Sequence, residues 1–192
     1  MIGRTHDVAA ATALGAVVIF GPARTITLAT ALVAILANQI GGIAPDIDQP
    51  TAPFWRNLPI GGPIGKVFDK LLGGHRFITH SILGLALFGL LLHLLLVTLT
   101  PIMPHVDTGM VWWAFMIGML SHLVMDSFTK EGVPWLLPIP IKFGFPPLRR
   151  LRIATGKLGE MFVIFPGLIA LDIWFCASHY NHLIVLLHHY IV

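Results

Sequence analysis

Long apolar runs divide the chain into segments that predict membrane-spanning helices. A helix needs about 20 mainly apolar residues to cross the hydrocarbon core of a bilayer. Five runs come near this length, and the first, although short, is rich in the alanine and glycine that close helix packing in membranes uses. The runs cover residues 7–22, 25–44, 79–100, 109–127 and 161–178. The pattern predicts an all-α fold, a multi-pass bundle of about five transmembrane helices that forms one domain over residues 1–192.

The two long connections, residues 45–78 and 128–160, have patterns of their own. In residues 64–72 the apolar side chains recur at helical spacing with the charged ones opposite, which predicts an amphipathic helix on the membrane surface. Residues 132–140 have too many prolines for a helix and are too apolar for free solution, which indicates a re-entrant or interfacial flap. The tail, residues 181–192, is too short to cross and is expected at the surface.

The amino-acid composition supports the prediction of membrane-spanning helices. Of 192 residues, 56% are hydrophobic and 11% charged, with a mean hydropathy of +0.83, whereas soluble domains are about 25% charged. The chain is therefore expected to be an integral membrane protein. The single cysteine, Cys176, excludes an internal disulfide and is expected to be a small buried packing residue. Because no small-residue cleavage site follows the short basic start, the first run is expected to be retained, unlike a signal peptide.

Lysine and arginine are distributed unevenly about the predicted spans. Five spans place the N-terminus and both long connections on one side, which then holds eleven of the twelve basic residues, with Arg24 on the other. By the positive-inside rule the first side is cytoplasmic, so the N-terminus is predicted in the cytoplasm. Arg149, Arg150 and Arg152 either set this topology and touch anionic lipid, or attract an anionic headgroup.

Histidines and acidic residues gather at the cytoplasmic end of every predicted span. The strongest local pattern is His122-x-x-x-Asp126, because residues four apart share one helix face and can present nitrogen and oxygen to one ion. Taken singly, each such group also has a structural interpretation as a helix cap, a turn or an interfacial residue. The full candidate set is His6, Asp46, Asp48, His75, His80, His122, Asp126 and Glu160.

Four histidines and four carboxylates at one end of a membrane bundle are costly unless they neutralise a cation. Imidazole and carboxylate ligands suit Zn²⁺, with Mn²⁺, iron or Mg²⁺ as alternatives. Eight candidates exceed the roughly four to six ligands that one ion takes. The sequence therefore predicts two or three divalent ions, with some candidates orienting the ligands instead of binding directly.

Five short motifs, in this order, resemble a known family. They are Thr5-His6, Pro45-Asp46-Ile47-Asp48, His75-Arg76-x-x-Thr79-His80-Ser81, Ser121-His122-x-x-x-Asp126 followed by Gly132-Val133 and Pro138, and Thr155-Gly156-x-x-x-Glu160. The set, from residue 5 to about residue 160, resembles the YdjM-type family of bacterial inner-membrane metal-dependent hydrolases, also described as LexA-binding membrane-associated hydrolases. One departure is Phe77, where that pattern commonly has a small residue.

The resemblance implies a bacterial inner-membrane location, a hydrolase site in a multi-pass helical protein, and a LexA-type regulator as a partner. A fainter similarity, in ligand types and one spacing, is to zinc-dependent phospholipase C and the P1-type nucleases, which favours phosphoester cleavage.

Together these observations predict a metal-dependent hydrolase that cleaves a phosphoester of a lipid or lipid-linked substrate at the cytoplasmic face. All eight candidates are predicted metal ligands, with Glu160 alternatively the base that takes a proton from water. Arg76 is predicted to pair with a phosphate oxygen, or else to be an ordinary cytoplasmic charge. The apolar flap around Trp135 favours a substrate with an acyl or prenyl tail.

Two other functions stay open. A metal or solute transporter would place polar sites near the membrane midplane, where only His93 and Asp172 fall. A non-catalytic membrane tether for a soluble regulator such as LexA would hold a structural, fully coordinated metal. Nucleic-acid binding is not favoured, because membrane topology already accounts for the basic residues. The sequence also has no stripe of basic and aromatic residues of the kind that binds along a nucleic-acid strand.

Overall fold

The computed structural model describes residues 1–22, 24–139 and 141–190, and its ordered elements there are helices and turns. The α-helices are α1 (Gly3–Phe20), α2 (Leu28–Ile43), α3 (Pro53–Arg56), α4 (Gly61–Leu71), α5 (Ile82–Leu99), α6 (Thr108–Ser127), α7 (Phe165–Ser178) and α8 (Tyr180–Tyr190). Short 3₁₀ turns span Ala44–Asp48, Ile78–His80, Thr100–Ile102 and Arg149–Leu151, and a π-helical turn, Glu160–Ile164, leads into α7. The predicted all-α architecture is confirmed.

Four helical stretches in the described part of the chain are long and apolar enough to cross a membrane. They are Leu28–Asp48, Ile82–Ile102, Thr108–Ser127 and Glu160–Ser178. Large apolar side chains such as Leu36, Leu90 and Ile173 are exposed on their outer surfaces, which suits contact with lipid. The chain is thus a helical membrane protein. Helix α1, with 18 residues, does not meet the same criterion, so its crossing stays a prediction.

Side-chain caps set where the spanning helices begin. Thr27 accepts a hydrogen bond from the Thr30 amide at 3.0 Å and starts α2, and Ser81 accepts one from the Gly84 amide at 3.0 Å and starts α5. Such caps satisfy amide groups that the first helical turn leaves unpaired. The predicted starts at residues 25 and 79 were therefore about three residues too early.

Small residues bring α2 and α6 into close contact. A side chain at Gly118 would collide with the carbonyl oxygen of Asn38, and one at Gly41 would collide with that of Phe115. Asn38 also donates from Nδ2 to the Ala114 carbonyl at 3.0 Å. Close backbone approach at small residues is a usual way for membrane helices to pack, and it brings the end of α2 beside His122 on α6.

The connections agree with prediction in part. Helix α4 confirms the helix predicted over residues 64–72. The flap predicted over residues 132–140 is non-helical in its described residues, and Pro140 lies outside them. Trp135 fastens it to both neighbours, since its carbonyl oxygen accepts from the Ile82 amide at 3.0 Å and its Nε1 donates to Ser127 Oγ at 2.9 Å.

The predictions for Cys176 and for the C-terminal tail have different outcomes. Cys176 is exposed on α7, so its predicted burial is wrong; the apolar run around it covers a helix face that points outward. The predicted surface tail forms α8 as far as Tyr190, and Ile191 and Val192 lie outside the described residues, as does Ala23 in the connection between α1 and α2.

Candidate metal centre

Six of the eight candidate ligands converge at one end of the bundle. They form three overlapping groups, within each of which one donor atom per residue lies within 4.8 Å of the others: His6 with Asp46 and His122, Asp46 with His75 and His80, and His80 with His122 and Asp126. Asp46, His80 and His122 each belong to two groups, so the three groups form a single cluster. The structure therefore brings six of the eight predicted residues together.

Helix α6 and the end of α2 orient His122. The Nδ1 atom of His122 lies 2.6 Å from the carbonyl oxygen of Gly42, and a carbonyl can only accept, so Nδ1 carries the proton. The lone pair of Nε2 is then free for a metal ion. The ring also stacks on His6, with centroids 3.6 Å apart and 7° between the planes.

A buried relay orients His80. Thr79 Oγ1 donates a short hydrogen bond to Asp48 and lies 2.9 Å from His80 Nδ1. Because the hydroxyl hydrogen is used on the carboxylate, Oγ1 accepts from the Nδ1 hydrogen, which leaves Nε2 of His80 as the ligand atom. The sequence predicted Asp48 as a direct ligand. Its carboxylate instead accepts from Thr79, from His75 Nδ1 at 2.8 Å and from the Arg76 amide at 3.0 Å, which suits an orienting role.

Asp126 lies at the centre of the cluster and is almost fully buried. Its oxygens contact the amino group of Met1 through a short ion pair, Arg76 Nη2 at 2.6 Å and His6 Nε2 at 3.4 Å. Its predicted partner, His122, has Nε2 3.7 Å from Oδ2. Two of these groups, the Met1 amino group and the Arg76 guanidinium, are cations, so the carboxylate lies where positive charge is stabilised.

Arg76 joins the cluster through an uncommon backbone conformation. Its φ angle is +59°, in the left-handed region that costs a non-glycine residue about 1 kcal/mol. This turn directs the amide to Asp48 and the side chain into the interior, where Nη1 donates to Thr129 Oγ1 at 2.9 Å and pairs with Glu131 at 3.2 Å. The contacts of Arg76 offset this conformational cost, because they connect Asp48, the end of α6 and the connection that follows it.

The histidine nitrogens provide the test of whether a metal fits. Both ring nitrogens of His6, Nε2 of His80 and Nε2 of His122 are buried without a hydrogen-bond partner among the described residues. A buried polar atom left unpaired costs about 1–3 kcal/mol, and several such atoms at one point call for a ligand. Nitrogen donors beside the carboxylates of Asp46 and Asp126 are the ligand types of Zn²⁺. The residues therefore fit a divalent metal.

Protonation of His80 bears on metal binding. Burial by itself lowers the pKa of His80, but the neighbouring carboxylates of Asp126 and Asp48 raise it, and the net pKa lies above the ordinary value of 6.5. The ring therefore takes up a second proton more readily than an ordinary imidazole does, and a metal ion at Nε2 would compete with that proton.

Glu160 lies outside the three groups, although it is fully buried. Its two oxygens accept from the amides of Ile2 at 2.7 Å and Gly156 at 2.8 Å. The carboxylate therefore ties the segment before α1 to the turn before α7. These contacts suit a positioning role, and the predicted role of Glu160 as a ligand or a base stays a prediction.

Sequence reasoning missed the groups that orient the ligands. The Gly42 carbonyl, the Thr79 hydroxyl and the Met1 amino group all contact candidate ligands. A contact made by a backbone atom cannot be recognised from the type of residue, and a threonine is too common to indicate a role by itself. The one signal was the position of Thr79, directly before His80 in a polar motif.

Comparison with known proteins agrees with the motifs. A family model described as the YdjM inner membrane protein matches residues 1–188. The chain is 31% identical over 128 residues to Uncharacterized protein YvsG of Bacillus subtilis (strain 168), which covers 67% of this chain and 69% of that protein. It is 37% identical over 109 residues to Inner membrane protein YdjM of Escherichia coli (strain K12) and to the protein of that name from Shigella flexneri, over 55% of this chain and 50% of each relative.

No solved structure gives a significant match. The family match nevertheless extends over nearly the whole chain, well beyond the region of the five motifs, and confirms the resemblance drawn from them. The chain belongs to the YdjM inner membrane protein family.

Proposed function

We propose that this protein is a metal-dependent hydrolase of the bacterial inner membrane, which cleaves a phosphoester of a lipid or lipid-linked substrate at the cytoplasmic face. The observation that carries the proposal is the convergence of unpaired histidine nitrogens from α1, α6 and the turn before α5 on the carboxylates of Asp46 and Asp126. His6, Asp46, His75, His80, His122 and Asp126 would hold two divalent ions, preferably Zn²⁺.

Such ions would supply a bound water of lowered pKa and positive charge for the phosphoryl oxygens. The cluster offers an approach for a substrate, because the Asp46 side chain is 20% exposed while those of His80 and Asp126 are at most 1% exposed. Arg76 keeps Nε without a hydrogen-bond partner among the described residues. Its guanidinium therefore retains a donor for a phosphate oxygen while it holds Asp126 in place.

An apolar groove supports a substrate with a hydrocarbon tail. It has a volume of about 620 Å³, lies between α5 and α6, and has its near end at Ile82, two residues after His80. From Ile82 to Val97 it extends about 22 Å along α5, most of the roughly 30 Å of a bilayer core. An acyl or prenyl chain in this groove would leave its headgroup beside the metal centre.

Charge supports the proposed orientation. The centre lies on the side of the connections 45–78 and 128–160, which with the N-terminus hold eleven of the twelve basic residues. We propose that this side faces the cytoplasm, that α1 crosses as well, and that the N-terminus is cytoplasmic.

Metal analysis combined with a substrate screen tests the proposal. The protein is purified with Zn²⁺, its metal content is measured by mass spectrometry, and cleavage of phospholipids and polyprenyl phosphates is followed. The product measured is free phosphate or, from a phosphodiester, the released headgroup, and both are called phosphate release here. His122→Ala and Asp126→Asn are expected to lose metal and phosphate release together. His182→Ala on α8, an exposed histidine outside the cluster, is the matched control and should keep both. Full metal content in both cluster variants would contradict the ligand set.

The same screen separates the alternatives. A membrane tether for a soluble regulator would bind metal in the wild type, release no phosphate from any substrate and show a fully coordinated ion by X-ray absorption. A transporter would carry the metal into liposomes. The position of the cluster at the helix ends, away from the midplane, favours the hydrolase over a transporter.

A further inference from the structure

A second cluster of charge lies beside the metal centre. Lys130, Glu131, Lys142, Arg149 and Arg152 line an open pocket of about 310 Å³, here called the basic pocket. Four cations face one carboxylate, so the pocket carries a net charge of +3. Like charges so close together repel one another unless an anion lies between them.

Backbone hydrogen bonds between distant parts of the connection bring these residues together. The amide of Val133 donates to the Phe143 carbonyl at 2.8 Å and the reverse bond is 2.9 Å, while the Lys130 amide donates to the Ile153 carbonyl at 3.0 Å. Lys142 and Arg152 directly precede Phe143 and Ile153. The two pairings therefore place the four basic residues and Glu131 around one opening, although up to 22 positions separate them in the sequence.

The arginines are held in place before any ligand binds. Arg152 donates from Nε to the Pro146 carbonyl at 2.7 Å and from Nη2 to the Pro147 carbonyl at 3.1 Å, and Arg149 Nε donates to the Lys130 carbonyl at 3.0 Å. A side chain at Gly144 would collide with the Arg152 guanidinium. The positive-inside rule requires only a number of charges and no fixed geometry, so topology does not explain this order.

The residues around the pocket suit a position among lipid headgroups. Large apolar side chains alternate with its basic ones along the same connection, and Ile141, Phe145, Leu148 and Leu151 are all exposed. Exposed apolar residues interleaved with lysine and arginine are the composition of segments that lie in the membrane interface.

One side chain connects the pocket with the metal centre. Arg76 pairs through Nη1 with Glu131, at 3.2 Å, and through Nη2 with Asp126, at 2.6 Å. A single guanidinium therefore contacts both, which makes the basic pocket and the candidate metal centre direct neighbours.

We infer that the basic pocket binds a phosphate-type dianion, which is a second acidic group of the substrate, while the metal centre holds the group that is cleaved. As a statement about the substrate this rests on the proposed function. It restricts the substrate class to molecules with two neighbouring acidic groups, such as diphosphates or a phosphodiester that also carries a phosphomonoester.

Binding of inorganic pyrophosphate to metal-stripped protein tests the inference. The full chain is placed in phosphatidylcholine nanodiscs, treated with a chelator and titrated calorimetrically at low ionic strength. Wild type should bind at one saturable site, and the double variant Lys142→Gln, Arg152→Gln should bind at least about tenfold more weakly, as expected for the loss of charge-assisted hydrogen bonds. The double variant Arg56→Gln, Lys70→Gln, which removes two exposed basic residues from the other connection, should bind as wild type does.

Two results would overturn the inference: no saturable binding by wild type, or equal weakening in both double variants, which would mean attraction by net charge alone. Nanodiscs that also contain phosphatidic acid separate the sources of the dianion, since competition identifies a lipid headgroup and undiminished binding identifies a soluble phosphate. Because the protein is free of metal, pyrophosphate binding does not depend on a bound ion. Failure of the hydrolase proposal would appear separately, as a wild type that takes up no metal or releases no phosphate.

Discussion

Replacing Thr79 by valine is expected to weaken metal binding without removing a ligand. Valine has nearly the same shape as threonine but lacks the hydroxyl group, which donates to Asp48 and lies 2.9 Å from His80 Nδ1. Without it the ring of His80 loses the partner that fixes its proton on Nδ1, and Nε2 is available as a ligand for a smaller fraction of the time.

The size of the effect follows from the contacts. Hydrogen-bond partners of metal-binding histidines are worth about 10- to 100-fold in metal affinity, which corresponds to about 1.4–2.7 kcal/mol. The metal-free fold should also lose about 1–3 kcal/mol, because the buried Nδ1 of His80 loses its hydroxyl partner, although Asp48 keeps its bonds from His75 and from the Arg76 amide. Metal affinity is therefore measured at a temperature at which the variant is fully folded.

The assay is competition for Zn²⁺ between the detergent-purified protein and a fluorescent chelator, with thermal unfolding of the metal-free protein in parallel. Thr98→Val is the matched control, because its hydroxyl is exposed on α5 and bonds only within its own helix, to the Leu95 carbonyl at 2.7 Å. Thr79→Ser should restore most of the affinity. If Thr79→Val binds Zn²⁺ as tightly as wild type while His122→Ala does not bind it, the relay through Thr79 has no role in orienting His80.

Three further outcomes are expected. Gly118→Ala should destabilise the protein by about 1–3 kcal/mol, because its methyl group would meet the Asn38 carbonyl, whereas Gly62→Ala, with nothing near its side-chain position, should not; thermal unfolding in detergent measures both. Zn²⁺ affinity in the chelator assay should fall as the pH is lowered towards and below neutrality, since the raised pKa of His80 makes the proton a competitor for the metal-free site; affinity independent of pH would contradict this. Glu160→Gln should lower thermal stability while metal content stays near that of wild type, because this side chain accepts from two backbone amides; lost phosphate release at unchanged stability would instead identify a base.

The sequence predicted which residues meet, but not how they are held. The lengths of the spans and the distribution of charge were enough to place the histidines and aspartates on one side of the membrane. Helical spacing was enough to place His122 and Asp126 on one face of a helix. Whether a carboxylate binds metal or orients a ligand depends on hydrogen bonds between distant residues. That Asp46 joins the candidate ligand groups while Asp48, two positions later, bonds to Thr79 and His75 could therefore not be derived from their spacing.

Element boundaries show the same limit. The first apolar run was predicted over residues 7–22, whereas α1 starts at Gly3 and contains His6. Hydropathy averages over a window and does not register a polar residue that is buried by other helices. The close contact of α2 with α6 likewise depends on Gly41 and Gly118, which appear in the sequence only as small residues in apolar runs.

The arrangement of the cluster is better explained by ligand binding than by stability of the fold. Buried ionic groups stabilise a protein little compared with apolar residues of the same size, and here His6, His80 and His122 leave nitrogen atoms unpaired in addition. Arg76 also keeps a left-handed backbone so that its side chain reaches Asp126. A bundle selected for packing alone would gain by losing each of these features, while a cation at their centre would take the lone pair of one nitrogen from each of the three rings. The energetic cost of the metal-free cluster is therefore itself an argument that the cluster exists to bind one.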